Sequence, residues 1–281
     1  VDAAPEYGLA YGPNGRTQGA MGVDWADFTC SGRPGLAVAT FEQEPDTLYR
    51  CDRPGYFTEV SGPMGIAAAT SAYVSWTVKF IDYENSGWPG LLVTNGHTQD
   101  NVDKIESGRS FAQPMQLFRN VNGTRFQDVS SQAGFDVPFP GRGAAIGDYD
   151  NDGKLDALVV NDEGAPILLH NECRLPNHWL GISLRGVRCN RDAIGARVTI
   201  TSGGRICAAD QSIVSGYVSC SDPRLHFGLG KEARVTSIQV KWPDGRTDHF
   251  GSCAGDQYIL LVEAAKSIAP AQFGAKSGTT Y

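Results

Sequence analysis

Asp148-Tyr149-Asp150-Asn151-Asp152-Gly153-Lys154-Leu155-Asp156-Ala157-Leu158-Val159 alternates acidic residues with others as far as a glycine, then enters an apolar strand. Gly153 permits the sharp turn that folds the acidic side chains toward one point. A hard cation such as calcium takes about six to eight oxygen ligands. The stretch offers carboxylates from Asp148, Asp150, Asp152 and Asp156 and the backbone carbonyl of Lys154, so these five residues form the expected metal site and Ca2+ the expected cofactor. A solvated acidic turn is the plainer alternative. An EF-hand fits less well, because Val159 stands where that loop needs a bidentate glutamate and the flanks read as strands.

The same pattern occurs twice upstream, as Asp27-Phe28-Thr29-Cys30-Ser31-Gly32-Arg33-Pro34-Gly35-Leu36-Ala37-Val38 and Asp82-Tyr83-Glu84-Asn85-Ser86-Gly87-Trp88-Pro89-Gly90-Leu91-Leu92-Val93. A second similar strand follows each loop: Leu48-Tyr49-Arg50, Leu117-Phe118-Arg119-Asn120 and Leu168-Leu169-His170-Asn171. After two of them comes a further element, Phe57-Thr58-Glu59-Val60 and Phe126-Gln127-Asp128-Val129. A spacing of roughly 55 to 66 residues suits one four-stranded propeller blade with insertions. The first two loops have lost acids, with Thr29, Ser31 and Gly35, then Ser86 and Gly90, in their places. For Asp27, Asp82 and Glu84 a structural turn is therefore as good a reading as a metal site.

The remaining composition agrees with many short strands. Thirty-four glycines and 15 prolines punctuate apolar runs such as Leu91-Leu92-Val93 and Val198-Thr199-Ile200, and helical periodicity is scarce. The 281 residues carry a formal charge of −7, which argues against a nucleic-acid partner and for cations. No apolar run approaches the ~18 residues that cross a bilayer, and no signal peptide precedes Val1, so the chain reads as processed or as a fragment. The seven cysteines show no C-x-x-C spacing and so no zinc or redox motif. Disulfides are expected, with Cys30–Cys51 and Cys207–Cys220 as the pairings, and the odd count leaves at least one thiol over. Asn122-Gly123-Thr124 is a possible glycosylation sequon in a turn.

The three loops resemble the FG-GAP or VCBS repeats of integrin-like β-propellers. From about Asn177 to Val262 the chain resembles the ASPIC and UnbV domain that follows such repeats in many bacterial secreted proteins. The residues that carry this are Asn177-His178-Trp179-Leu180, Asn190-Arg191-Asp192-Ala193-Ile194-Gly195-Ala196-Arg197-Val198, Ser221-Asp222-Pro223-Arg224-Leu225-His226-Phe227-Gly228-Leu229-Gly230 and Val240-Lys241-Trp242-Pro243-Asp244-Gly245-Arg246. The resemblance implies an extracytoplasmic, calcium-stabilised module, secreted, periplasmic or on the cell surface, of bacterial origin. The expected fold is all-β: a partial β-propeller of about three blades over 1–176, an antiparallel β-sandwich or barrel over 177–263, and a tail over 264–281. A propeller closes with about four to eight blades. Blades are therefore missing or supplied by another chain, and Val1 to Leu9, which resembles Asp128 to Phe135, reads as the tail of a blade.

No hydrolase elbow, zinc helix, P-loop or dinucleotide fingerprint occurs, so no catalytic residue is assigned and the chain is expected not to be an enzyme. His226, His178 and His249 read as core or turn residues. His97, with Asp100 and Asp103, lies in the insertion Asn95 to Pro114, where a surface loop is the simplest reading and a ligand loop the alternative. Asp192 and Arg224 are expected to fix turns. The function expected is adhesion or assembly as a subunit of a larger complex or filament, through exposed strand edges and the C-terminal tail. The alternative is a carbohydrate-binding module, with Trp25, Trp76, Trp88, Trp179 and Trp242 as a glycan platform; an enzyme of unknown chemistry ranks below both.

Overall fold

The computed structural model describes residues 2–265 and 267–271. Each repeat loop turns the chain back on itself, so the strands on either side pair as a hairpin. β1 (Val23–Ala26), β2 (Gly35–Val38), β3 (Thr47–Arg53) and β4 (Tyr56–Glu59) form an antiparallel meander. β5 (Ser75–Ile81), β6 (Gly90–Asn95), β7 (Gln116–Val121) and β8 (Arg125–Asp128) repeat it. β9 (Gly141–Gly147), β10 (Asp156–Asn161) and β11 (Ile167–Leu169) repeat it with three strands.

Burial shows how these sheets stack. All six residues of β6 are buried, which a strand achieves only when both faces of its sheet are covered. Leu91 and Val93 join Phe28, Leu48, Phe80 and Phe118 in a core shared with the first sheet. Leu92, pointing the other way, joins Ile146 and Ala157 of the third. The middle sheet is thus packed face to face on both sides. β10, by contrast, leaves Leu158 and Val160 44% and 50% exposed.

Downstream come β12 (His178–Arg185), β13 (Arg197–Ser202), β14 (Arg205–Asp210), β15 (Leu225–Gly230), β16 (Arg234–Val235), β17 (Ser237–Lys241), β18 (Thr247–Phe250), β19 (Cys253–Ala254), β20 (Gln257–Val262) and β21 (Ala269–Pro270). They make sheets of order β15-β12-β20-β21 and β14-β13-β17-β18, with β16-β19 as a two-stranded ribbon. Leu180, Ile182, Val198, Ile200, Leu229, Val240 and Trp242 belong to one buried cluster that draws on both larger sheets.

The chain is all-β in a propeller-like arrangement of small sheets, and two expectations change. Five sheets of three or four strands form among the described residues, against about three blades expected. The glycine-loop signature marks only sheets whose strands are consecutive, and the last two join strands distant in sequence. The C-terminal unit is also not wholly antiparallel, because β12 runs parallel to β20, Leu180 opposite Gln257 through Arg185 opposite Val262. The start of the tail adds β21 to the edge of β20; residues 272–281 lie outside the described residues.

The segment between β14 and β15 lies against the first strand of each repeat sheet. Gly216 N–H donates to the Val23 carbonyl at 2.7 Å, and Tyr217 N–H to Thr77 Oγ1 at 3.1 Å. Asp222 N–H donates to the Ile146 carbonyl at 2.9 Å. At Val23 of β1 and Ile146 of β9 the carbonyl thus finds its partner in the protein's own backbone.

Candidate metal centre

The three repeat loops share one internal geometry. The first aspartate of each accepts hydrogen bonds from the backbone N–H groups four and five residues on. Asp27 takes Ser31 and Gly32 at 2.9 and 2.8 Å. Asp82 takes Ser86 and Gly87 at 2.9 and 2.7 Å, and Asp148 takes Asp152 and Gly153 at 3.1 and 2.7 Å. The glycine is left-handed in each case, with φ of 75°, 82° and 86°, a conformation that costs a residue with a Cβ about 1–2 kcal/mol. The first aspartate is therefore a turn-closing residue in every loop, and burial raises the pKa of all three above the ordinary carboxylate value.

Only in the third loop do further carboxylates converge with the first; Glu84 of the second loop pairs with Arg119 instead. Ligand oxygens of Asp148, Asp150 and Asp156 all lie within 4.8 Å of one another, the only such acidic cluster among the described residues. Asp156 and Asp148 are buried, 3% and 1% exposed. Three convergent oxygens of this kind fit a hard divalent cation. Of the four expected carboxylates, the fold brings three together. Asp152 turns instead to the Lys154 ammonium and accepts the Lys154 N–H at 2.8 Å. In the other loops Gly35 and Gly90 occupy the position of Asp156, and a Cβ at Gly90 would run into the Phe118 carbonyl, as one at Gly35 would into the Phe28 ring. Packing there has taken the space a last carboxylate needs.

The acidic loop sits against the C-terminal unit. Tyr258 donates its hydroxyl hydrogen to Asp148 Oδ2 at 2.6 Å, and burial together with this bond pushes the Tyr258 pKa up. Arg224 Nη2 donates to the Asp148 carbonyl at 2.7 Å, while its Nε holds Asp222 at 2.7 Å. The Trp179 indole lies so close over Gly153 that a Cβ would fall inside it. Below the loop, His170 Nδ1 is 3.2 Å from Asp156 Oδ1 and Asn171 N–H donates to that oxygen at 2.8 Å.

The other loops dock in the same way. Arg197 Nη2 donates to the Gly32 carbonyl at 2.6 Å, and Arg205 Nη1 to the Ser86 carbonyl at 3.3 Å. The fourth residue of each loop, Cys30, Asn85 and Asn151, has a φ of 48°, 55° and 62° and reaches across as well. Asn85 Oδ1 is 2.6 Å from His226 Nε2, and Asn151 Oδ1 accepts from Arg224. Burial holds the His226 pKa down at about 4, with the Arg224 charge adding to it. These contacts are long-range and carry no local motif, so Tyr258, Trp179 and His170 were not legible as neighbours of the acidic loop.

The thiols do not match the expected pairings. Cys30 and Cys207 bring their Sγ atoms to 3.1 Å, one residue from each of the pairs Cys30–Cys51 and Cys207–Cys220. Cys51 Sγ instead faces the Arg53 carbonyl at 3.3 Å, and Cys220 is exposed. Spacing along the chain had suggested local partners, whereas the loop docking selects a distant one.

The insertion from Thr98 to Ser110 is a largely exposed surface loop, Asp100 and Asp103 included, while His97 at its start is buried. His97 is 4% exposed, its Nε2 lies 3.6 Å from Glu42, and Arg142 donates to its carbonyl at 3.0 Å. Asn190, rather than the exposed Asp192, fixes its turn by pairing with the Ile194 N–H at 2.8 Å and carbonyl at 2.9 Å. Asn122 stands exposed on the β7–β8 turn. Trp242 is buried, Trp179 stacks on His226, Trp76 lies under Arg142 and Trp88 under Arg205. Each of these four rings is committed to a separate contact within the protein.

Comparison with known proteins finds a family match within the C-terminal unit. A family model described as ASPIC and UnbV matches residues 186–268, as the resemblance implied. Human cartilage acidic protein 1 is 34% identical over 127 residues, 43% of this chain and 19% of the relative. Cartilage acidic protein 1 of Xenopus tropicalis is 35% identical over 112 residues, 38% of this chain and 17% of the relative. The alignments thus span less than a fifth of the length of these curated relatives.

Proposed function

We propose that the chain is a non-catalytic, extracytoplasmic structural module of adhesion or assembly, in which calcium bound by the acidic loop fastens the repeat sheets to the C-terminal unit. The observation that carries this reading is the placement of Asp148, Asp150 and Asp156 on the loop that Tyr258, Arg224 and Trp179 hold from the C-terminal side. Three carboxylates crowded together repel one another, and a divalent cation would neutralise them. The Lys154 carbonyl and water would complete the oxygen ligands that such an ion needs. Similarity to proteins named for cartilage supports an extracellular setting.

The assembly half of the proposal rests on the outer face of the third sheet. Leu158 occupies the repeat position of Leu92, which is 2% exposed because the next sheet covers it. Leu158, Val160 and Leu168 are 44%, 50% and 52% exposed and form the corresponding face, which none of the described residues covers. A further sheet, from another chain or another part of a longer one, is what the repeat geometry calls for there.

Titration calorimetry at neutral pH tests the metal, with about one calcium per chain expected and no heat as the contrary result. Sedimentation at micromolar concentration with calcium present tests assembly. A self-associating species that dissociates in the Leu158→Asp variant is expected, and a monomer would remove self-assembly from the proposal.

A further inference from the structure

Cys30 and Cys207 stand 177 positions apart in the chain with their Sγ atoms 3.1 Å apart. The first lies on the first repeat loop, the second on β14, where it pairs opposite Ile200. Cys30 holds the loop position that Asn85 and Asn151 hold, in the same left-handed backbone conformation. Those asparagines fasten their loops to His226 and Arg224 by hydrogen bonds. At every loop, then, the fourth residue makes the contact, and only at the first loop can the contact become covalent.

We propose that Cys30 and Cys207 form a disulfide that clasps the first repeat sheet to the C-terminal unit. Both thiols are partly exposed, so a small disulfide can reach them. The hydrogen bond with Cys30 lowers the Cys207 pKa, the Arg205 guanidinium adding to this against burial. The same bond and burial raise that of Cys30. Beside the Arg205 guanidinium, Cys207 can act as the attacking thiolate. It attacks one sulfur of a low-molecular-weight disulfide, forming a mixed disulfide and expelling one thiolate. Cys30, deprotonating as it attacks, displaces the second thiolate from Cys207 Sγ. The protein gives up two electrons and two protons; the small disulfide is reduced to two thiols. The clasp restrains the unfolded chain across a very long loop, which is where a cross-link has most effect.

The test uses the whole chain, first reduced and then exposed to oxidised glutathione, with alkylation, digestion and mass spectrometry under non-reducing conditions. A peptide joining Cys30 to Cys207, with these two thiols lost together from alkylation, is expected. The oxidised protein should melt about 5–10 °C above the reduced one, and Cys30→Ser should abolish that difference while leaving Cys207 open to alkylation. The proposal is overturned if both thiols stay alkylatable, if they stop at glutathione adducts, or if Cys30 links to Cys51 or Cys207 to Cys220. It rests on the thiol geometry alone, so its failure leaves the calcium reading intact.

Discussion

The first and third repeat loops share a backbone and differ in what they place on it. Both close on an aspartate that accepts two N–H groups, both turn at a left-handed glycine, and both receive an arginine from the C-terminal unit. The third adds Asp150 and Asp156 to make an acidic cluster; the first has a thiol at its fourth position and a glycine that a ring covers at its ninth. The turn is thus the shared scaffold, and the means of fastening it to the C-terminal unit is what varies from loop to loop. A residue that looks like a metal ligand by sequence position, such as Asp27, is explained by the turn alone.

The sharpest way to break this comparison is to place the same methyl group on the same turn in both loops. Gly153→Ala should cost ~3 kcal/mol or more, since left-handed strain is joined by a clash with Trp179. Gly32 has open space around its would-be Cβ, so Gly32→Ala should cost only about 1 kcal/mol. Equal losses in chemical denaturation would show that docking against Trp179 contributes nothing special.

A second comparison lies within the acidic loop. Asp150→Asn should weaken calcium at least ~10-fold by calorimetry, whereas Asp152→Asn, whose wild-type carboxylate is already taken by Lys154, should change affinity by only about 2- to 3-fold. The reverse order would restore the ligand set that the alternating sequence pattern suggests.

A smaller effect comes from the middle loop. His226 is held near a pKa of about 4 in the folded state, below the ~6.5 of an unfolded chain. The unfolded state therefore takes up the proton first. Stability from this group is complete above pH ~6.5 and falls away as the pH drops toward about 4. The melting temperature should decline by a few degrees over that range, and His226→Asn, which does not titrate, should flatten that part of the profile.

These contrasts also mark where sequence reading succeeds. The acidic cluster of Asp148, Asp150 and Asp156 could be read because its residues fall within nine positions and a glycine marks their turn. The strand after each loop was equally plain from its apolar run. The Cys30–Cys207 contact could not be read, since it depends on which strand of a distant sheet meets the first loop. Asp152 stands apart from the acidic cluster for a local reason: alternation places it beside the other acids, but its carboxylate pairs with the neighbouring Lys154. The count of sheets was missed because β12 and β20, whose register partners such as Ile182 and Ile259 lie 77 residues apart along the chain, do not pair as consecutive hairpins.

The central claim is that calcium in the third loop holds the repeat sheets and the C-terminal unit together. Scanning calorimetry of the whole chain, in calcium and in chelator, tests it most directly. In calcium the two regions should unfold in one transition, and in chelator that transition should move down by several degrees and broaden or split. Superimposable traces in the two conditions would contradict the claim.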